Sequence, residues 1–167
     1  MIEIKRANKE DIKLMSQIHA RSWKQAYKGL LPQSYLDQLK EDRWVEIMTK
    51  SFENKNFAAW IALFDGEAAA CICAAKSMYR RYTNDWELIS LYALDKFWGK
   101  GIGKKLLDTA LEHGKTKGFK RAGLWVLDKN ERAIKFYENY GMKKINDKIF
   151  SEIGGMKTTE IRFVIDL

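Results

Sequence analysis

The stretch Phe97–Leu107, FWGKGIGKKLL, places glycine at three alternate positions, Gly99, Gly101 and Gly103, with Lys100, Lys104 and Lys105 threaded among them. An apolar run, Leu88–Leu94 (LISLYAL), precedes it. Behind it Ile102, Leu106, Leu107, Ala110 and Leu111 recur at helical spacing. A strand is therefore expected to end near 94 and a helix to begin just after the glycines. Glycine costs conformational entropy on folding, so the backbone there has a task that side chains would obstruct. The first N–H groups of a helix have no intrahelical partner, and the helix dipole is positive at that end. Bare backbone donors flanked by lysines make a site for an anion, phosphate above all.

The spacing excludes two familiar phosphate sites. A nucleotide-hydrolysing P-loop has four residues between its glycines and a hydroxyl after its lysine. Here three residues separate Gly99 from Gly103, and Lys104 is followed by Lys105. A dinucleotide fingerprint, G-x-G-x-x-G, would put glycine where Lys104 or Leu106 stands.

Outward from this motif the chain reads as one α+β domain over residues 1–167. Ile2–Ala7 alternates as a strand. Asn8 offers a cap to a helix whose face carries Ile12, Met15, Ile18, Ser22, Trp23, Ala26 and Tyr27. Pro32 opens a second helix that carries Tyr35, Leu36 and Leu39 and ends by about Asn54. Residues 57–78 are a hairpin turning at Asp65–Gly66. Trp86–Leu94 and Ala122–Leu127 are buried strands, and Asn130–Gly141 is a helix capped by Asn130 or Asp128 and stopped at Gly141. Two further strands, near 143–150 and 158–167, close the chain.

Apolar residues make up 46% of the chain, which excludes a disordered protein. No run is long enough for a membrane helix, and the N-terminus has no signal-peptide pattern, so a soluble, cytoplasmic protein without a membrane partner is expected. Cys71 and Cys73 read as buried thiols of a reducing compartment, and no metal site is expected. The net charge of +8 suits an anionic ligand. Acidic residues are interspersed throughout and no basic face is interleaved with stacking aromatics, so nucleic acid is not an expected partner.

Two motifs together resemble the GNAT superfamily of N-acetyltransferases of bacterial type. Leu91–Leu107 (LYALDKFWGKGIGKKLL) resembles its acyl-CoA-binding segment, whose pattern is Gln or Arg, two residues, Gly, one residue, Gly or Ala. Asn130–Met142 (NERAIKFYENYGM) resembles its second signature, and Ala20–Leu39 is similar to its N-terminal helices. One position departs: Trp98 stands where the family has Gln or Arg.

The resemblance implies a central mixed, mostly antiparallel sheet flanked by helices, with one parallel strand pair that splays to hold the pantetheine arm. It implies acetyl-CoA as co-substrate, its pantetheine on the backbone of Leu91, Tyr92 and Ala93. The pyrophosphate would rest on the amides of Gly99, Lys100, Gly101, Ile102, Gly103 and Lys104, with Asn130 against the cofactor arm. Tyr137 matches the family tyrosine that acts as general acid toward the thioester sulfur.

Acyl transfer from a thioester to an amine needs a proton acceptor for the amine, donors for the oxyanion and a proton for the thiolate. Direct transfer needs no enzyme nucleophile. His19 and His113 read as isolated helix-surface residues. Glu87 is the candidate base, on the expectation that it shares a strand face with Leu91 and Ala93; a backbone N–H near Ala93 is the candidate oxyanion donor. Trp23, Tyr27, Tyr82 and Trp86 are candidates for an acceptor pocket, and Gly155–Phe163 (GMKTTEIRF) is a candidate for a homodimer edge. The expected activity is transfer of an acetyl group to a primary amine of a small molecule, polyamine or protein. The alternative is a non-catalytic CoA-binding sensor.

Overall fold

Strand β4 (Trp86–Ala93) and strand β5 (Arg121–Leu127) lie side by side and parallel, yet pair only at Trp86↔Ala122 and Glu87↔Gly123. Beyond those two pairs they diverge. The computed structural model describes residues 1–167 and contains one seven-stranded sheet. In chain order the elements are β1 (Ile2–Arg6), α1 (Ile12–Ala26), α2 (Gln33–Asp37), α3 (Val45–Ser51), β2 (Phe57–Phe64) and β3 (Glu67–Lys76). After β4 come α4 (Ile102–Thr116), β5, α5 (Glu131–Tyr140), β6 (Lys143–Ile153) and β7 (Met156–Asp166). The spatial order is β1-β2-β3-β4-β5-β7-β6, and every neighbouring pair except β4–β5 is antiparallel.

Helices cover both faces, as the near-continuous apolar runs of the central strands require. On one face α4 seats Ile102, Leu106, Leu107 and Ala110 against Trp86, Leu88, Leu124 and Phe163, with Tyr137 and Phe136 of α5 beside them. On the other, α1 seats Met15 and Ile18 against Ile61, Cys71 and Cys73. A capping box formed by Asn8 and Asp11 starts the one-turn 3₁₀ helix that leads into α1.

Three local expectations change. The single helix expected over 32–54 is split into α2 and α3. Buried Ser16 of α1 donates to the Glu41 carbonyl at 2.6 Å and accepts from the Trp44 amide at 3.1 Å, which stabilises the break through a tertiary contact. The last two strands run longer than expected, up to a tight turn at Gly154–Gly155, both with positive φ. The segment expected at a sheet edge, within β7, lies between β5 and β6, and β6 is the edge.

The consequential change is in β4. Cys73 pairs with Ser90 and Ala74 with Leu88, so Ile89 is an extra residue, a β-bulge. The alternation of faces inverts there. Trp86 and Leu88 share the α4 face with Leu91 and Ala93, whereas Tyr92 packs on the α1 face. Glu87 therefore does not share a face with Leu91 and Ala93, against the expectation from simple alternation.

Glu87 instead meets Arg162 of β7. The fully buried guanidinium donates to both carboxylate oxygens at 3.0 Å and to Asp85 at 3.1 Å. It lies against the Tyr82 ring at 3.9 Å. A Cβ on Gly123 would fall 2.3 Å from this guanidinium, so glycine is required there by close approach. The ion cluster thus clamps β4, β5 and β7 at the last residues before the strands part. Arg162→Ala would leave two buried carboxylates without their partner. It is expected to lower stability by about 3–5 kcal/mol in urea denaturation, and a loss under 1 kcal/mol would contradict the clamp.

Candidate active site

The gap between the diverging strands is a passage through the sheet. A cavity of about 140 Å³ is lined from the α4 face by Leu88, Leu91, Leu107, Leu124 and Tyr137. From the α1 face it is lined by Trp23, Tyr27, Tyr92, Trp125 and Glu160. A second cavity, about 420 Å³, runs from Leu91 and Ala93 along Phe97–Lys104. The two share Leu91, Arg132, Ala133 and Tyr137. They form one channel with Tyr137 at its waist.

The glycine loop floors the second cavity. Gly99 and Gly101 hold φ of 75° and 78°, in the left-handed region that glycine alone adopts freely. Gly103 is helical, and its missing Cβ admits the ring of Phe136, which a Cβ would meet at 3.3 Å. The alternate glycines therefore answer two needs, backbone inversion at two positions and close packing of α5 on α4 at the third. The first intrahelical bond of α4 runs from the Lys105 amide to the Gly101 carbonyl at 3.2 Å. None of the six amides from Gly99 to Lys104 donates to a backbone carbonyl. Five of these donors, all but Lys100, belong to residues that line the second cavity, and the Lys104 ammonium there is paired with Asp108 at 2.9 Å. Lys100 rests near the rings of Phe64 and Phe97.

Trp98, the departure from the family pattern, is built in. Its indole N–H donates to the Ala93 carbonyl at 2.8 Å, closing the end of the open β4 edge. Arg132 of α5 stacks on its ring at 3.5 Å and has no ion-pair partner, so a guanidinium stands over the loop although position 98 carries no charge. Arg132 is a contributor that the sequence reading missed. Its position on the α5 surface carried no signal without the Trp98 stack.

Tyr137 lines both cavities, and its hydroxyl has no hydrogen-bond partner within the chain. Burial raises its pKa far above the ordinary range, so it holds its proton at neutral pH. Asn130 is buried and caps α5, accepting from the Ala133 amide at 3.2 Å, while also lining the first cavity. Trp23 and Tyr27 line the cavity as expected, and Tyr27 shares a 3.2 Å hydrogen bond with Tyr92. The two other aromatics expected there do not. Trp86 is buried under α4, its indole donating to the Ala110 carbonyl, and Tyr82 covers Arg162. Trp125 and Tyr92 take their places.

The α1 face also carries two groups that the sequence did not reveal. Glu160 of β7 points into the cavity with neither an ion pair nor a hydrogen bond to its carboxylate, and burial raises its pKa. His19, expected on a helix surface, is buried, and His113 is half-buried against Trp60 and Trp86. His19 Nδ1 lies 2.9 Å from the Met15 carbonyl, which can only accept, so the ring proton is on Nδ1. Nε2 then accepts from the Ser90 hydroxyl at 3.1 Å.

A model of the Acetyltransferase (GNAT) family matches residues 17–142. The chain belongs to the GNAT acetyltransferase family. This GNAT N-acetyltransferase is 28% identical to an uncharacterized N-acetyltransferase of Bacillus subtilis, over 96% of this chain and 91% of the relative. It is 26% identical to the spermidine N(1)-acetyltransferase of Thermoplasma acidophilum, over 85% of this chain and 88% of that one. Its fold superposes on the PaiA N-acetyltransferase of Thermoplasma acidophilum in complex with coenzyme A with a TM-score of 0.74. That match has 23% identity and covers 97% of this chain and 98% of the other. The enzyme has no helix long and apolar enough to cross a membrane and no cluster of three or more potential metal-binding side chains.

Burial lowers the pKa of His19 to about 4. A histidine with a depressed folded-state pKa binds its proton more readily when unfolded, so stability falls as pH drops from about 6.5 toward 4. The expected loss is roughly 3 kcal/mol, read from urea unfolding across that range. His19→Gln should flatten this part of the profile; an unchanged slope in the variant would assign it to other groups.

Proposed function

We propose that the enzyme transfers an acetyl group from acetyl-CoA directly to a primary amine that enters from the α1 face. The observation that carries this reading is the channel through the β4–β5 gap, with the free amides of the glycine loop at one end and Tyr137 at its waist. The residues present fit the donor. A diphosphate suits the amides of Gly99–Lys104 at the positive end of α4, with Lys104 and Arg132 adding charge. An extended, amide-bearing arm suits the β4 edge that β5 leaves unpaired beyond Glu87, along Leu91 and Tyr92 toward Ala93. The Ala93 carbonyl itself already accepts from Trp98, so the arm's partners on β4 lie before that point.

Acetyl-CoA would supply an activated thioester. The protein's part is to hold it, shed water from the gap and manage protons. In this reading Tyr137 donates its proton to the leaving sulfur, which its neutral state and its lack of other hydrogen bonds support. The lining by Trp23, Tyr27, Tyr92 and Trp125 offers ring faces to an alkylammonium acceptor. The relative named for spermidine makes polyamines the first acceptors to screen, beside amino acids, aminoglycosides and peptides.

Tyr137→Phe is expected to reduce kcat about 100-fold in a thiol-release assay, while calorimetry finds CoA affinity within twofold of the parent. Turnover equal to the parent would remove Tyr137 from proton transfer. Binding of CoA without turnover of any amine would favour a CoA-sensing role.

A further inference from the structure

We infer that Glu160 receives the acceptor's ammonium group and takes its proton, making the α1-face mouth of the channel a site for a cationic alkylamine. The inference rests on the acetyltransferase reading above and adds the residue that reading lacks, a base for the amine.

Of the groups lining the first cavity, Glu160 is the sole carboxylate. It pairs across the sheet with Leu127, the last residue of β5, so it stands on the α1 face at the wide end of the gap. Side chains of paired strand residues share a face, and the next pair on that face, Trp125↔Arg162, puts an indole wall beside it. Other acidic side chains near the parting strands are engaged. Glu87 and Asp85 are bound by Arg162, and Asp147 accepts from Tyr82 at 2.5 Å. Glu160 has no such partner. A half-buried carboxylate without a counter-charge and flanked by tyrosine and tryptophan rings is complementary to an ammonium group.

The channel is therefore polarised. Its donor end carries free amides, Lys104 and Arg132, and its acceptor end carries Glu160. The titratable groups near enough to feel Glu160 are Tyr27, which ends α1, and Tyr79 from the loop before β4; Tyr92 of β4 and Tyr137 and Arg132 of α5 line the same cavity, with the Arg132 guanidinium held over Trp98. The tyrosines are held neutral by burial. Among these, Glu160 is the one carboxylate, and so the one group that can meet an ammonium with an opposite charge. The competing base is His19 acting through Ser90, which also lines the cavity. A buried imidazole that stays neutral down to about pH 4 is a poor resting place for a proton and offers no charge to attract a cation.

Glu160 takes one proton from the ammonium, freeing the nitrogen lone pair, and later releases that proton to solvent. Nitrogen bonds to the acetyl carbon, the carbon–sulfur bond breaks, and the sulfur leaves with the electron pair and the Tyr137 proton. The second proton shed by nitrogen restores Tyr137.

The test uses thioethers of CoA, so it does not depend on knowing the acceptor. A series of S-(aminoalkyl)-CoA compounds is compared with S-alkyl-CoA compounds of equal length by calorimetry. In the parent, one length of the amino series should bind about 10-fold tighter than its neutral match, and Glu160→Gln should abolish that preference while S-alkyl-CoA binds as before. With acetyl-CoA and spermidine, Glu160→Gln should lower kcat about 100-fold at neutral pH, and its rate should climb with pH as the free amine becomes abundant. The parent should instead reach a plateau above the Glu160 titration. Equal binding of the charged and neutral thioethers by the parent would overturn the proposal and leave the acetyltransferase reading standing. So would an acid limb that survives Glu160→Gln and vanishes in Ser90→Ala. Failure of the parent to bind CoA or any thioether would bring down the acetyltransferase reading, and the proposal with it.

Discussion

Everything in this structure that bears on chemistry depends on the parting of β4 from β5. Two parallel pairs hold them together, and then a bulge at Ile89 turns β4 away. A parting like this leaves backbone groups unpaired in the middle of a sheet, which a fold tolerates only if something else meets them. Here the Trp98 indole takes one carbonyl, and an extended ligand suits the rest. Opening the sheet also needs a strong tie where the opening begins. Arg162, bound to Glu87 and Asp85 over the bare backbone of Gly123, is that tie.

The ion cluster explains why two neighbouring kinds of carboxylate on the same face have different lives. Glu87 is buried with a two-point partner, so its charge is compensated and its oxygens are occupied. Glu160 sits one step further along the gap, where the strands have separated and cavity replaces packing. The same separation that makes room for a substrate deprives Glu160 of a partner. Functional availability here is a consequence of geometry, since both residues are glutamates on β-strands.

Much of the fold was legible because its elements carry local signals. The glycine loop, the Asp65–Gly66 turn, the Asn130 cap and the apolar strands were read near their observed bounds. Tyr137 and the loop amides were legible through their motifs, and the channel brings them together. The misses share one cause. The break between α2 and α3 is held by Ser16, the face of Glu87 is set by a bulge, and the acceptor wall uses Trp125 in place of Trp86. None of these has a signature within its own stretch of chain.

The sequence by itself determined the order of the strands, the strand–loop–helix passage around the glycines, and the unpaired amides at the start of α4. Those follow from periodicity and from conformations open to glycine alone. Only the tertiary structure decided which carboxylate is tied down and which is free, that Arg132 stands over Trp98, and that His19 is buried against Ser90. Each depends on residues far apart in the chain meeting in space, and the face that Ser90 turns to His19 is set by a one-residue bulge that a linear pattern does not encode.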